Sequence, residues 1–98
     1  MTARIAILTV SDRAARGAYE DRGGPACEAW LREVITTPVE ILRRITEDGA
    51  APVAAALTDL ADTWGADLIL VTGGTGPAPR DRTPEGVAAV IDFDLPGF

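Results

Sequence analysis

The 98-residue sequence contains no histidine and no lysine, one cysteine and one methionine, and only 5% aromatic residues. Without histidine, neither a Ser-His nor a Cys-His nucleophilic pair can be built, and zinc would lack its usual ligand set. The single thiol, Cys27, cannot close an internal disulfide. It falls among apolar positions at helical spacing, where a cysteine is buried and inert. Long apolar runs are missing too. Ile5–Val10, the longest near the N-terminus, is too short for a signal-peptide core and far too short to span a membrane. Together these absences point to a cytoplasmic protein.

What is present is an ordinary globular composition, 47% hydrophobic and 24% charged, in a chain of single-domain length. The net charge of −6 argues against nucleic acid, whose binding needs a basic surface. The basic residues are all arginine, and Arg13, Arg16, Arg22, Arg80 and Arg82 lie in two loop-like stretches. Genome composition accounts for an arginine-only chain; a local positive site for a small polyanion accounts equally for the clustering.

Strand and helix alternate along the chain. Arg4–Val10 is an aliphatic run without alternation, as expected of a strand buried on both faces. Ser11–Gly24 reads as a long polar loop, and Pro25 opens a helix in which Cys27, Trp30, Leu31 and Val34 recur at helical spacing. Thr36, Thr37 and Pro38 end it, and Val39–Ile45 forms a second strand. Val53, Leu57, Leu60, Ala61 and Trp64 make one continuous helical stripe, closed by Gly65. Ala66–Thr72 is the third strand, and Thr83 with Pro84 provides the N-cap and first residue of a helix through Val90.

This order predicts an α/β fold of three layers, a mainly parallel sheet with right-handed crossover helices. Parallel strands end on one edge of the sheet, and ligands bind in the crevice beyond those ends. Three segments meet there: "SDRAARGAYEDRGG", "TEDGA" and "VTGGTGPAPRDRTPE". The last is neither a P-loop nor a dinucleotide fingerprint. Its glycines let backbone approach a ligand, and successive N–H groups can form an anion nest; a tight strand-to-helix turn would use the same residues. Asp48 and Asp81 stand in two of these loops. They read either as a helix cap and a salt-bridge partner, or as a carboxylate pair holding Mg²⁺ against phosphates. With no protein nucleophile available, chemistry here rests on positioning and charge stabilisation, which suits phosphoryl or nucleotidyl transfer.

"ILTVSDRAARGAYEDRGGPACEAWL", "TEDGA", "ILVTGGTGPAPRDRTPE" and "LPGF" together resemble the molybdopterin-binding fold of molybdenum cofactor biosynthesis, in its bacterial adenylyltransferase branch. The motifs have that family's order and spacing over nearly the whole chain. The resemblance implies that residues 1–98 form one molybdopterin-binding domain, incomplete at its C-terminus, because family members continue beyond "PGF". It implies a nucleotidyltransferase that joins ATP to molybdopterin and releases pyrophosphate, with the substrate's own phosphate as nucleophile and Mg²⁺ as cofactor. The family's two important aspartates fall on Asp48 and Asp81, as catalytic and metal-holding residues. Its substrate-binding positions fall on Ser11, Asp12 and Arg13, on Gly73, Gly74, Thr75 and Gly76, and on Thr83. Expected partners are molybdopterin and ATP, further copies in a homotrimer, and the molybdenum-inserting enzyme of the pathway. A pterin-binding module without catalysis and an inactive fragment retaining the motifs are the competing readings.

Overall fold

In the computed structural model, residues 2–17, 21–73 and 83–88 are described, without the side chains of Arg13, Thr83, Pro84 and Ala88. The elements are β1 (Ala3–Val10), α1 (Asp12–Ala15), α2 (Gly23–Val34), β2 (Val39–Thr46), α3 (Ala50–Thr58), β3 (Leu68–Gly73) and α4 (Thr83–Ala88). A π-helical turn over Asp59–Trp64 continues α3. The sheet has the order β2-β1-β3, with both pairings parallel. The three-layer α/β reading therefore holds, and the reason lies in β1.

Its six residues Ile5–Val10 are all buried, because consecutive side chains enter opposite layers. Ile5 and Ile7 join Leu31 of α2 on one face. Ala6, Leu8 and Val10 join Val53, Ala56, Leu57 and Leu60 on the other. The α3 stripe is thus confirmed at Val53, Leu57 and Leu60, whereas Ala61 is exposed. Gly65 ends the helix in the left-handed conformation at φ 80. Gly86 lets α4 lie against α3, since a Cβ there would sit 2.7 Å from Val53 Cβ and 2.8 Å from Ala50 O.

Five readings change. The segment after β1 is not a continuous loop: the Ser11 side chain accepts the Ala14 N–H at 3.3 Å and nucleates α1. Helix α2 starts at Gly23, two residues before Pro25, because Asp21 accepts the Gly24 N–H at 3.1 Å. Its buried line runs through Gly24 and Leu31 with Cys27 and Ile35 packed alongside, not through Trp30 and Val34, which are 58% and 51% exposed. Cys27 is half-buried rather than enclosed. The third strand begins at Leu68, since Asp67 turns to the first residues of β1, its N–H donating to Arg4 O at 2.7 Å and its carboxylate accepting Arg4 N–H at 2.8 Å. Of the helix expected over Thr83–Val90, the described part is Thr83–Ala88.

Candidate functional site

Helix α2 connects β1 to β2 across one face, and α3 connects β2 to β3 across the other. The chain therefore leaves β1 and enters β3 from opposite sides, and a crevice opens beyond the carboxyl ends of these two strands. It has a volume of about 250 Å³ and is lined by Thr9, Val10, Ser11, Asp21, Gly23, Thr72 and Gly73. Its polar groups are held in place. Asp21 accepts the Thr9 hydroxyl at 3.1 Å as well as the Gly24 N–H, coupling the start of α2 to the central strand. Gly73 takes φ 94 and lies so close to β1 that a Cβ would meet Val10 O at 2.3 Å. Only glycine permits this approach.

A second, wider groove of about 460 Å³ lies on the other flank, between α1 and the end of β2. Asp12, Ala15, Arg16, Ile45, Thr46 and Glu47 line it. The wall between the two spaces is Ser11–Asp12, tied to the second loop twice. Ser11 N–H donates to Thr46 O at 2.9 Å, and Asp48 N–H donates to Asp12 Oδ1 at 3.1 Å. The "SDR" and "TEDGA" segments are thus brought together by hydrogen bonds.

Of the sequence-derived site residues, Ser11, Asp12, Asp48 and Gly73 converge on this edge. Arg13 lies in α1 and Thr83 opens α4, their side chains being outside the described set. Gly74, Thr75, Gly76 and Asp81 lie outside the described residues. Sequence reasoning missed Asp21, whose signal is its spacing three residues before Gly24, the distance of an N-cap contact. It also missed Ile45 as a surface residue, 41% exposed, because an aliphatic at a strand end reads as core.

The charges are unevenly placed. Arg4, Arg32, Arg43 and Arg44 pair with Glu40, Glu28, Glu28 and Asp59. Arg16 and Arg22, which flank the carboxyl edge, have no carboxylate partner among the described residues. Asp12 and Asp48, joined by their hydrogen bond, supply hard oxygen donors of the kind Mg²⁺ takes. No cluster of three potential ligands occurs among the described residues. No helix among the described residues is long and apolar enough to cross a membrane.

The family model described as "Probable molybdopterin binding domain" matches residues 6–98. The chain belongs to this family. It is 46% identical over 97 residues to the molybdopterin adenylyltransferase of Escherichia coli K12, covering 99% of this chain and 50% of that protein. The molybdopterin adenylyltransferase of Pyrococcus furiosus is 33% identical over 94 residues, 96% of this chain and 53% of the relative. Among solved structures, the molybdopterin biosynthesis enzyme MoaB of Thermus thermophilus superposes with a TM-score of 0.84 at 40% identity, covering 97% of this chain and 58% of that one. The molybdopterin biosynthesis Mog protein of Mycobacterium ulcerans gives 0.82 at 40% identity, with 97% and 60% covered. The molybdopterin-binding domain thus spans about half the length of the curated relatives it matches.

Proposed function

We propose that this domain takes part in adenylylating molybdopterin with ATP. An oxygen of the molybdopterin phosphate attacks the α-phosphorus of ATP, the bond to the β-phosphate oxygen breaks, and pyrophosphate leaves. The observation that carries the reading is the hydrogen bond from Asp48 N–H to Asp12 Oδ1 at 3.1 Å. It fixes the segments bearing Asp48 and the "SDR" motif at one edge, beside the Gly73 crevice. No histidine or other activated nucleophile is required, since the attacking oxygen comes with the substrate.

The roles follow from chemistry and position. Ser11 would offer its hydroxyl, and Gly73, Gly74, Thr75 and Gly76 their backbone N–H groups, to a phosphate. Asp48 and Asp81 would hold Mg²⁺, which when bound offsets the negative charge of the polyphosphate. Arg13 and Thr83 complete the substrate-binding set. We place residues 1–98 as one molybdopterin-binding domain, working in the cytoplasm, assembling as a homotrimer and passing its product to the molybdenum-inserting enzyme.

The test is incubation with molybdopterin, ATP and Mg²⁺ while pyrophosphate is measured. Release that depends on both substrates supports adenylyl transfer. The family's description as a probable molybdopterin binding domain suits one alternative, a binding module without catalysis. Molybdopterin binding with no pyrophosphate would select it.

A further inference from the structure

Helix α2 covers its side of the sheet with one line of residues. Gly24 and Leu31 are buried there, and Cys27 and Ile35 pack beside them. The opposite side of the helix is not a plain solvated face. Arg22, Ala26, Ala29 and Glu33 recur along it at i, i+4, i+7 and i+11, all exposed. Trp30 stands beside Ala26 on this face and Val34 follows one turn on, 58% and 51% exposed. An indole held in water on a helix that already has its own buried line is an anchor without a pocket.

The charges decide what fits it. Glu28, on the flank toward β2, is engaged by Arg32 and Arg43. Arg22 and Glu33, at the two ends of the outer line, have no ionic partner among the described residues. One unpaired cation and one unpaired anion thus bracket an apolar centre, about 16 Å apart at the helical rise. A partner of a single charge sign satisfies only one of them. A second copy turned about a two-fold axis satisfies both, because antiparallel helices set Arg22 of each against Glu33 of the other. In that register Ala26 faces Ala29 of the second helix, which lets the backbones approach, and Trp30 lies over Ala26. The Arg22–Glu33 line carries no net charge on a domain of −6. Two copies therefore meet along it without the repulsion that their totals impose elsewhere.

We propose that the outer face of α2 docks a second copy of this chain, the two helices packing antiparallel about a two-fold axis. The contact uses one patch on both copies, so it is distinct from the head-to-tail contact of a three-fold ring. It does not depend on the adenylylation reading.

The chain contains no lysine, which makes a specific test available. Arg22→Lys keeps the charge and adds a single side-chain amine, which a carbodiimide joins only to a carboxylate in direct contact with it. The expected product is a dimer whose linked peptides join position 22 to Glu33 of a second chain, in a yield that rises with protein concentration. Within one helix the two positions are too far apart to be joined. Trp30→Ala and Ala26→Glu, each added to Arg22→Lys, should lower that yield fivefold or more. Both positions are exposed, and thermal melts confirm that each variant is folded; either one suffices if the other unfolds. Absence of a crosslinked dimer would overturn the proposal. So would a dimer linked through carboxylates other than Glu33, or a yield that the folded variants leave unchanged.

Discussion

At Gly73 the backbone demands of the fold and of the site coincide. The residue is paired with Val10 in register, takes φ 94, and leaves no space for a Cβ before Val10 O. Gly73→Ala combines a left-handed conformation with a backbone clash, and should cost about 1–3 kcal/mol or more in a denaturant melt. A change near zero would show that β3 can shift away from β1. The sequence displayed the glycine loop clearly, but not that its first glycine is required by strand packing before any ligand arrives. Asp48 poses the complementary case, legible as a residue through its motif and silent about geometry until Asp12 is seen to hold its N–H. If Asp81 steadies charge on the departing pyrophosphate, Asp81→Asn should lower adenylylation by about 10²-fold, on the order of 2.7 kcal/mol of transition-state stabilisation. Molybdopterin affinity should change far less, since the glycine amides remain. Normal turnover would remove Asp81 from the catalytic set, and equal losses would make it a binding residue.

Among the elements, the helix after β2 was read in the right phase, whereas in the helix before it Cys27 and Leu31 were placed rightly and Trp30 and Val34 were not. The α3 stripe is continuous, with Val53, Leu57 and Leu60 all buried against β1. Leu57→Ala should therefore cost about 2–5 kcal/mol in a denaturant melt, and a negligible loss would mean that this face can collapse around the deletion. In α2, apolar residues occupy two adjacent lines, and a periodicity argument cannot choose between them. The Asp21 cap and the buried Gly24 set the rotation that buries Leu31 and exposes Trp30. The widening after Thr58 was equally hidden. There the Thr58 hydroxyl donates to Ala54 O at 2.9 Å, and Asp59 accepts from Arg44 of β2. That hydrogen bond, aided by Thr63, holds the Asp59 carboxyl below its ordinary value of 3.8. A carboxyl lowered by folding stabilises the fold well above 3.8, and the contribution disappears as pH falls through the lower folded value. Asp59→Asn should accordingly lower the melting temperature near neutrality and have little effect once the native carboxylate is protonated. A pH-independent difference between the two proteins would exclude the ion pair as its cause.

For the whole molecule, the two edges of the sheet are managed differently. The β2 edge carries Glu40, Arg43 and Arg44, all engaged in ion pairs, a charged border of the kind that blocks strand addition. The β3 edge reads Leu68–Gly73, with Leu68 47% exposed and Ile69, Leu70 and Val71 only partly covered. Among the described residues its sole strand partner is β1. An uncovered strand edge is a template for pairing with another chain, so among the described residues β3 is the edge open to association. The 98-residue chain should associate in a concentration-dependent way by sedimentation velocity. Leu68→Lys should reduce that association while leaving the thermal melt nearly unchanged, since the side chain removed is half in solvent and the cation is placed on the edge. A sample that stays monomeric at every concentration would contradict the prediction. So would a single closed species, such as a trimer, that Leu68→Lys leaves intact, because its contacts would then lie elsewhere than on β3.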